Sequence, residues 1–223
     1  MIGRLLEKSW LPTEQGVPEP GPFDPHAAAK TALNFFIAVV TVLFSLLIVT
    51  LLSRSQYPDF EPLAGAPWQP FADPGRLYVN TALLVAACAA LQLAVLGARR
   101  QRQNVCIAGI CAGAFLSVAF LLAQLDLWRE LMAMGFYVDG NPANSYFYLL
   151  TALHGLHLCG GLLALAYVVI VRITGSDSVE CLGGPLRLCA RYWHFMLLIW
   201  IVLFGILVSS AATLGALAAL CGF

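Results

Sequence analysis

The chain has 223 residues, 60% of them hydrophobic and 11% charged, and it carries no net charge. Soluble domains carry roughly 25% charged residues, so this chain cannot cover a water-exposed surface; a lipid-exposed surface needs no charges. A neutral chain also gives no electrostatic basis for binding nucleic acid, and that class is excluded.

The opening stretch, residues 1–30, contains Arg4, Glu7, Lys8, Glu14, Glu19 and Asp24 among several prolines. It lacks the apolar centre of a secretory signal and reads as an N-terminal cytoplasmic segment ahead of a membrane domain over residues 31–223. A spanning helix needs about 20 mostly apolar residues, because the hydrocarbon core is about 30 Å thick and each residue rises about 1.5 Å. Five segments qualify: Thr31–Leu52, Leu77–Gly97, Val105–Leu125, Tyr146–Val171 and Tyr192–Leu217. All are apolar on every side, without the period-two alternation of a membrane β-barrel. The expected fold is therefore all-α, an integral membrane bundle of five transmembrane helices.

The connections carry the breakers. Ser53–Arg76 holds Pro58, Pro62, Pro67, Pro70 and Pro74 together with Tyr57 and Trp68, which marks an interfacial loop. Ala98–Asn104 is short and holds Arg99, Arg100 and Arg102. Asp126–Ser145 carries Gly135, Gly140 and Pro142, and Arg172–Arg191 carries Gly175, Gly183, Gly184 and Pro185. Positive charges in short loops set orientation. Arg4, Lys8, Lys30, Arg99, Arg100, Arg102, Arg172, Arg187 and Arg191 fall on one side, against Arg54, Arg76 and Arg129 on the other. Nine against three places the N-terminus in the cytoplasm and the C-terminus in the periplasm, in the cell inner membrane.

Gly109 and Gly113 form a G-x-x-x-G in the third span, which reads either as local helix packing or as a dimer face. The seven cysteines form no C-x-x-C pair and read as small buried apolar residues rather than ligands or disulfides. No internal repeat of the inverted-transporter kind is visible. Ionisable groups inside hydrocarbon cost roughly 2.5–3.5 kcal/mol or more each and so mark function. The five apolar cores hold no acid; Asp126 and Glu130 lie just past the third. A self-contained proton or ion pump is disfavoured accordingly.

His154 and His157 share the fourth span at i, i+3, which places both on one helix face. Two readings stand: a metal or haem site, or neutral imidazoles hydrogen-bonding across a helix interface that Gly155, Gly160 and Gly161 bring close. His194, at the start of the fifth span, is expected at a different depth, on the order of 10 Å away. One metal ion with bonds near 2 Å cannot gather all three. The run Arg191-Tyr192-Trp193-His194-Phe195 reads as an interfacial aromatic belt, with Arg187, Arg191 and His194 available to lipid phosphate.

Several stretches resemble one family. His154-Gly155-Leu156-His157, followed by Trp193-His194-Phe195, is similar to the H-G-x-H and W-H-F signatures of cytochrome c oxidase subunit III. Leu77-Tyr78-Val79-Asn80-Thr81 resembles that family's L-W-x-N-T, and Trp128-Arg129-Glu130 also fits. Order and spacing agree from about Thr31 to Gly205, as in the short five-helix bacterial members. The resemblance implies a subunit without catalytic residues or metal ligands of its own, haem and copper being carried by partner subunits. It implies packing against catalytic subunit I, with subunit II as a further partner, and the holding of membrane phospholipids. Asn80, Trp128, Glu130, His154, Gly155, His157, Arg191, Trp193 and His194 then become packing and lipid-site residues. Two departures bear on proton collection: the helix matching the family's glutamate-bearing one has no acid, and Leu197 stands where an aspartate often follows W-H-F. Such losses are more typical of divergent members, including subunit III-like proteins of nitric-oxide reductases. A haem- or metal-binding membrane protein using His154 and His157 is the other alternative.

Overall fold

The computed structural model describes residues 25–64, 70–71, 74–174 and 183–222. It is all-α: α1 (Pro25–Arg54), α2 (Gly75–Arg99), α3 (Gln103–Ala133), α4 (Pro142–Thr174), α5 (Gly183–Leu207) and α6 (Ala211–Leu220). The first five are long and apolar enough to cross a membrane. Arg4, Lys8, Trp68 and Cys181 lie outside the described residues, as does most of the N-terminal segment.

Four of the five expected spans sit inside helices that extend a few residues further at each end. The fifth is corrected. Its helix runs Gly183–Leu207 rather than Tyr192–Leu217. Gly183-Gly184-Pro185, expected in a loop, forms its first turn, where proline's missing N–H costs nothing. The apolar run past Leu207 is broken at Ser210, whose extended backbone and hydroxyl, accepting from the Thr213 N–H at 3.4 Å, start α6.

The turns at the two ends of the bundle are closed by specific bonds. Between α2 and α3 the Arg102 N–H donates to the Gly97 carbonyl at 2.9 Å. A Cβ on Gly97 would lie 2.7 Å from the Cys106 nitrogen, so the tightness of this hairpin requires glycine there. At the other end α3 finishes in a Schellman arrangement, Phe136 N–H to Leu131 O and Gly135 N–H to Met132 O, with Gly135 at φ +90°. Asn141 then caps α4: its Oδ1 accepts from the Ala143 N–H at 3.0 Å and its Nδ2 donates to the Glu61 carbonyl at 2.6 Å. One side chain thus pins the α1–α2 connection to the start of α4.

Helices α1, α4, α3 and α2 touch in that order, and α5 packs against α2, α4 and α1. The bundle is an incomplete ring round its last spanning helix, not closely packed between α1 and α2, with the short α6 lying against α1. The α2–α3 contact is the closest of all. A Cβ on Gly109 would lie 2.7 Å from both the Ala90 carbonyl oxygen and the Ala94 nitrogen, and one on Gly113 would lie 2.7 Å from Leu91 Cγ. The G-x-x-x-G is therefore an internal packing motif. Trp193, Trp200, Phe44, Phe120 and Phe147 are the largest wholly buried side chains and mark the core.

Candidate functional site

Three indoles meet the inside of the bundle, and hydrocarbon offers no acceptor for their N–H groups. Each donates to a hydroxyl on another helix: Trp128 of α3 to Thr151 of α4 at 3.1 Å, Trp193 of α5 to Ser117 of α3 at 2.8 Å, and Trp200 of α5 to Thr81 of α2 at 2.9 Å. Each hydroxyl donates in turn to the carbonyl four residues back in its own helix: Thr151 to Phe147, Ser117 to Gly113 and Thr81 to Leu77, at 2.6–2.8 Å. A hydroxyl is the smallest group that accepts from the indole while passing its own proton to a helix that has a spare carbonyl lone pair. Asn80 Nδ2 donates to Gln124 Oε1 at 2.9 Å, joining α2 to α3 with both amides buried.

The histidines do not behave as a set. His154 is fully buried, edge-on to Phe120 (5.7 Å between centroids) and beside Trp200 (5.2 Å). Neither of its ring nitrogens has a hydrogen-bond partner among the described residues. His157 is half-buried; its Nδ1 lies 2.7 Å from the Leu153 carbonyl of its own helix, and its ring faces Phe36 and Phe44 of α1. Three residues of helix turn the second imidazole about 60° from the first, so one points to α3 and α5 and the other to α1. The expected imidazole hydrogen bonds between helices are not made. The bond between α4 and α5 runs instead from the Tyr192 hydroxyl to the His157 carbonyl at 2.9 Å.

The depth expected for His194 is also corrected. It lies eleven residues inside α5, and Phe36 touches the rings of both His157 and Tyr192. His157 and His194 are therefore within about a turn in depth; direction separates them, since His194 is exposed with Nδ1 against the Ala190 carbonyl at 2.6 Å. No group of three or more His, Cys, Asp or Glu among the described residues is placed to hold a metal ion. Trp193 and Tyr192 are buried, so the run from Arg191 to Phe195 is not an interfacial belt; Arg191 and His194 alone of it face fully outward.

Of the glycines, Gly161 admits the partner helix, since a Cβ there would lie 2.7 Å from Tyr192 Cε1. Gly155 meets only Leu121, at an ordinary 3.4 Å, and Gly160 faces open space. Glu130 holds the Arg76 Nε at 2.9 Å, while Asp126 takes the same guanidinium at 3.1 Å. This exposed cluster ties the start of α2 to the end of α3. Sequence reasoning missed Thr81, Ser117, Thr151, Gln124 and Trp200. The signal available for them was the indoles themselves, because a tryptophan within a span requires an acceptor nearby.

Between α1 and α4, floored by α5, a groove of about 650 Å³ opens outward. Its walls include Leu33, Phe36, Leu163 and Ala164, and His157 and Tyr192 lie at its floor. The smooth Gly160-Gly161 face of α4 gives it width.

Five apolar helices closed by indole–hydroxyl bonds, with their histidines apart, define a multi-pass membrane protein whose interior is built for packing. The cytochrome c oxidase subunit III family matches residues 26–209, which take in all five spans, and the chain belongs to that family. It is 30% identical over 147 residues to a probable cytochrome c oxidase subunit 3 of Mycobacterium tuberculosis, covering 65% of this chain and 72% of that protein. A cytochrome bo(3) ubiquinol oxidase subunit 3 of Pseudomonas aeruginosa is 28% identical over 127 residues (56% and 60%). A heme-copper oxidase subunit I+III of Aeropyrum pernix is 25% identical over 126 residues, 56% of this chain but 16% of that longer one.

Proposed function

We propose that this chain is the non-catalytic subunit III of a haem-copper terminal oxidase, holding catalytic subunit I in shape through helix packing and bound phospholipid. The observation that carries the reading is the family match across all five spans. The indole–hydroxyl bonds support it: the three indoles and their hydroxyls are engaged with one another between helices, which suits a scaffold. Haem and copper would then reside on partner subunits, with subunit II a further partner in electron transport. The relative in which subunits I and III form one chain supports contact with subunit I.

Phospholipid is the occupant proposed for the groove between α1 and α4. Its apolar walls suit an acyl chain, and Arg187, exposed in the first turns of α5, lies at the depth of a headgroup phosphate. The charge bias of the loops supports an N-terminus in the cytoplasm and a C-terminus in the periplasm of the cell inner membrane.

A pull-down of the tagged chain in mild detergent tests the reading. A stoichiometric subunit I carrying all the haem is expected, and its identity will name the oxidase and tell oxygen from nitric oxide as acceptor. An isolated chain that itself carries stoichiometric haem would overturn it.

A further inference from the structure

The outward faces of the bundle are not alike. Around α3 and α4 the exposed positions within the spans are mostly apolar, as at Phe115, Leu122, Leu156 and Leu163. Among the described residues, three amide or imidazole side chains are nevertheless exposed at least seven residues from any helix end, Asn34 of α1, Gln92 of α2 and His194 of α5, the last beside the equally exposed Arg191 on the same face of its helix. Lipid tails offer no hydrogen-bond partner, so such groups are costly on a lipid-facing surface. Ser and Thr bond their own helix, as Thr41 does to the Ile37 carbonyl; a carboxamide has more groups to satisfy than one carbonyl provides.

These three residues surround one opening. Helix α5 is exposed where the ring is incomplete, along His194, Leu198, Ile201 and Gly205, spaced as one helical stripe. Gln92 follows the α5-facing Cys88 by four residues, on the flank of α2 that borders this stripe. Asn34 shares a stripe with Thr41 on the flank of α1 turned away from α4, since Phe36, which touches His157, lies on the other flank. The depths agree as well. Cys88 Sγ donates to the Trp193 carbonyl, so antiparallel α2 brings Gln92 level with about Cys189. Phe36 meets Tyr192, so Asn34 lies level with about Ala190. All three fall within roughly a turn and a half of one another along the membrane normal. The floor is low at Gly205, where a Cβ would meet nothing within 4 Å.

We infer that this opening, floored by α5 and rimmed by α1 and α2, seats a transmembrane helix of catalytic subunit I, whose polar side chains complete the hydrogen bonding of Asn34, Gln92 and His194. The inference rests on the proposed function and adds to it which face meets subunit I. The faces of α3 and α4 are left to lipid. The covalent joining of subunits I and III in the Aeropyrum pernix relative favours subunit I over a second copy of this chain as the occupant.

The test is photocrosslinking in the intact oxidase, with benzoylphenylalanine placed singly at Leu198, Val85, Leu163 or Phe115 and adducts identified by mass spectrometry. Leu198 and Val85 are expected to join subunit I, and Leu163 and Phe115 to give no protein adduct. Subunit I joined through Leu163 or Phe115 instead, a second copy of this chain joined through Leu198, or no protein adduct anywhere would overturn the inference and leave the proposed function standing. Absence of a haem-bearing subunit I from the purified complex would overturn both. A second measurement separates docking from folding. The double variant Gln92→Leu, His194→Leu is expected to keep or raise the stability of the isolated chain, because leucine suits lipid. It is expected to be retained about tenfold less by subunit I in detergent. Undiminished retention would count against the inference.

Discussion

Trp193 shows how a single side chain is held. Its N–H has one acceptor, Ser117, and the Ser117 hydroxyl has already given its own proton to Gly113. Trp193→Phe removes the donor and keeps most of the ring, so a loss of about 1 kcal/mol is expected, with Ser117→Ala adding little more when the two are combined. A double-mutant cycle followed by thermal unfolding in detergent measures that coupling, and full additivity would refute it. Outside the spans, the Arg54 guanidinium hydrogen-bonds Asp59 and holds its carboxyl below the ordinary 3.8. A depressed carboxyl stabilises its loop above the ordinary value and loses that contribution as pH falls through the lower one. Pepsin cleavage around Tyr57, normalised at each pH to that of an unfolded substrate, is therefore expected to rise only as pH drops below about 3.8; Asp59→Asn is expected to show the raised normalised cleavage already at pH 5.

At the scale of the helices, two glycines predict opposite outcomes. Gly109→Leu places a side chain against backbone atoms of α2 that have no room to yield, and a loss of about 1–3 kcal/mol or failure to fold is expected. Gly160→Ala enters open space and is expected to stay within about 0.5 kcal/mol of the parent. Thermal midpoints of the purified variants give the comparison. The five spans were legible in the sequence because each apolar run exceeds the bilayer length, a signal that survives errors at its ends. The limits of α5 were not. Gly183-Gly184-Pro185 has the composition of a loop and also that of a helix's first turn, and the apolar residues of α6 carry the run past a break that only Ser210 marks. The same displacement moved His194 from the boundary to the interior. Asn80, Trp128 and Trp193 stood out through the resemblance, as packing or lipid residues, but the hydroxyls of Thr81, Ser117 and Thr151 did not. A hydroxyl inside an apolar run is ordinary, and which indole it faces depends on how helices distant in sequence come together.

For the whole molecule, the loop charges make a statement about sidedness that labelling checks. Cys221 is exposed beyond α6. In a version retaining that cysteine alone, a membrane-impermeant maleimide is expected to react from the periplasmic side of intact spheroplasts. Reaction only after lysis would reverse the assigned orientation. The molecule also divides its surface by chemistry. Within the spans the exposed faces of α3 and α4 are mostly apolar, whereas the opening over α5 presents amides and an imidazole.

The position of α5 also bears on how the chain is made. It is the last of the five spans to leave the ribosome, yet it brings both Trp193 and Trp200 to hydroxyls on α3 and α2 and touches α1, α2 and α4. Until it arrives, Thr81 and Ser117 have no indole to accept from, and the four earlier helices enclose nothing. The order of synthesis therefore leaves the core open to the end: a nascent chain halted before Gly183 can be threaded into the bilayer but lacks every bond that α5 brings to α2 and α3.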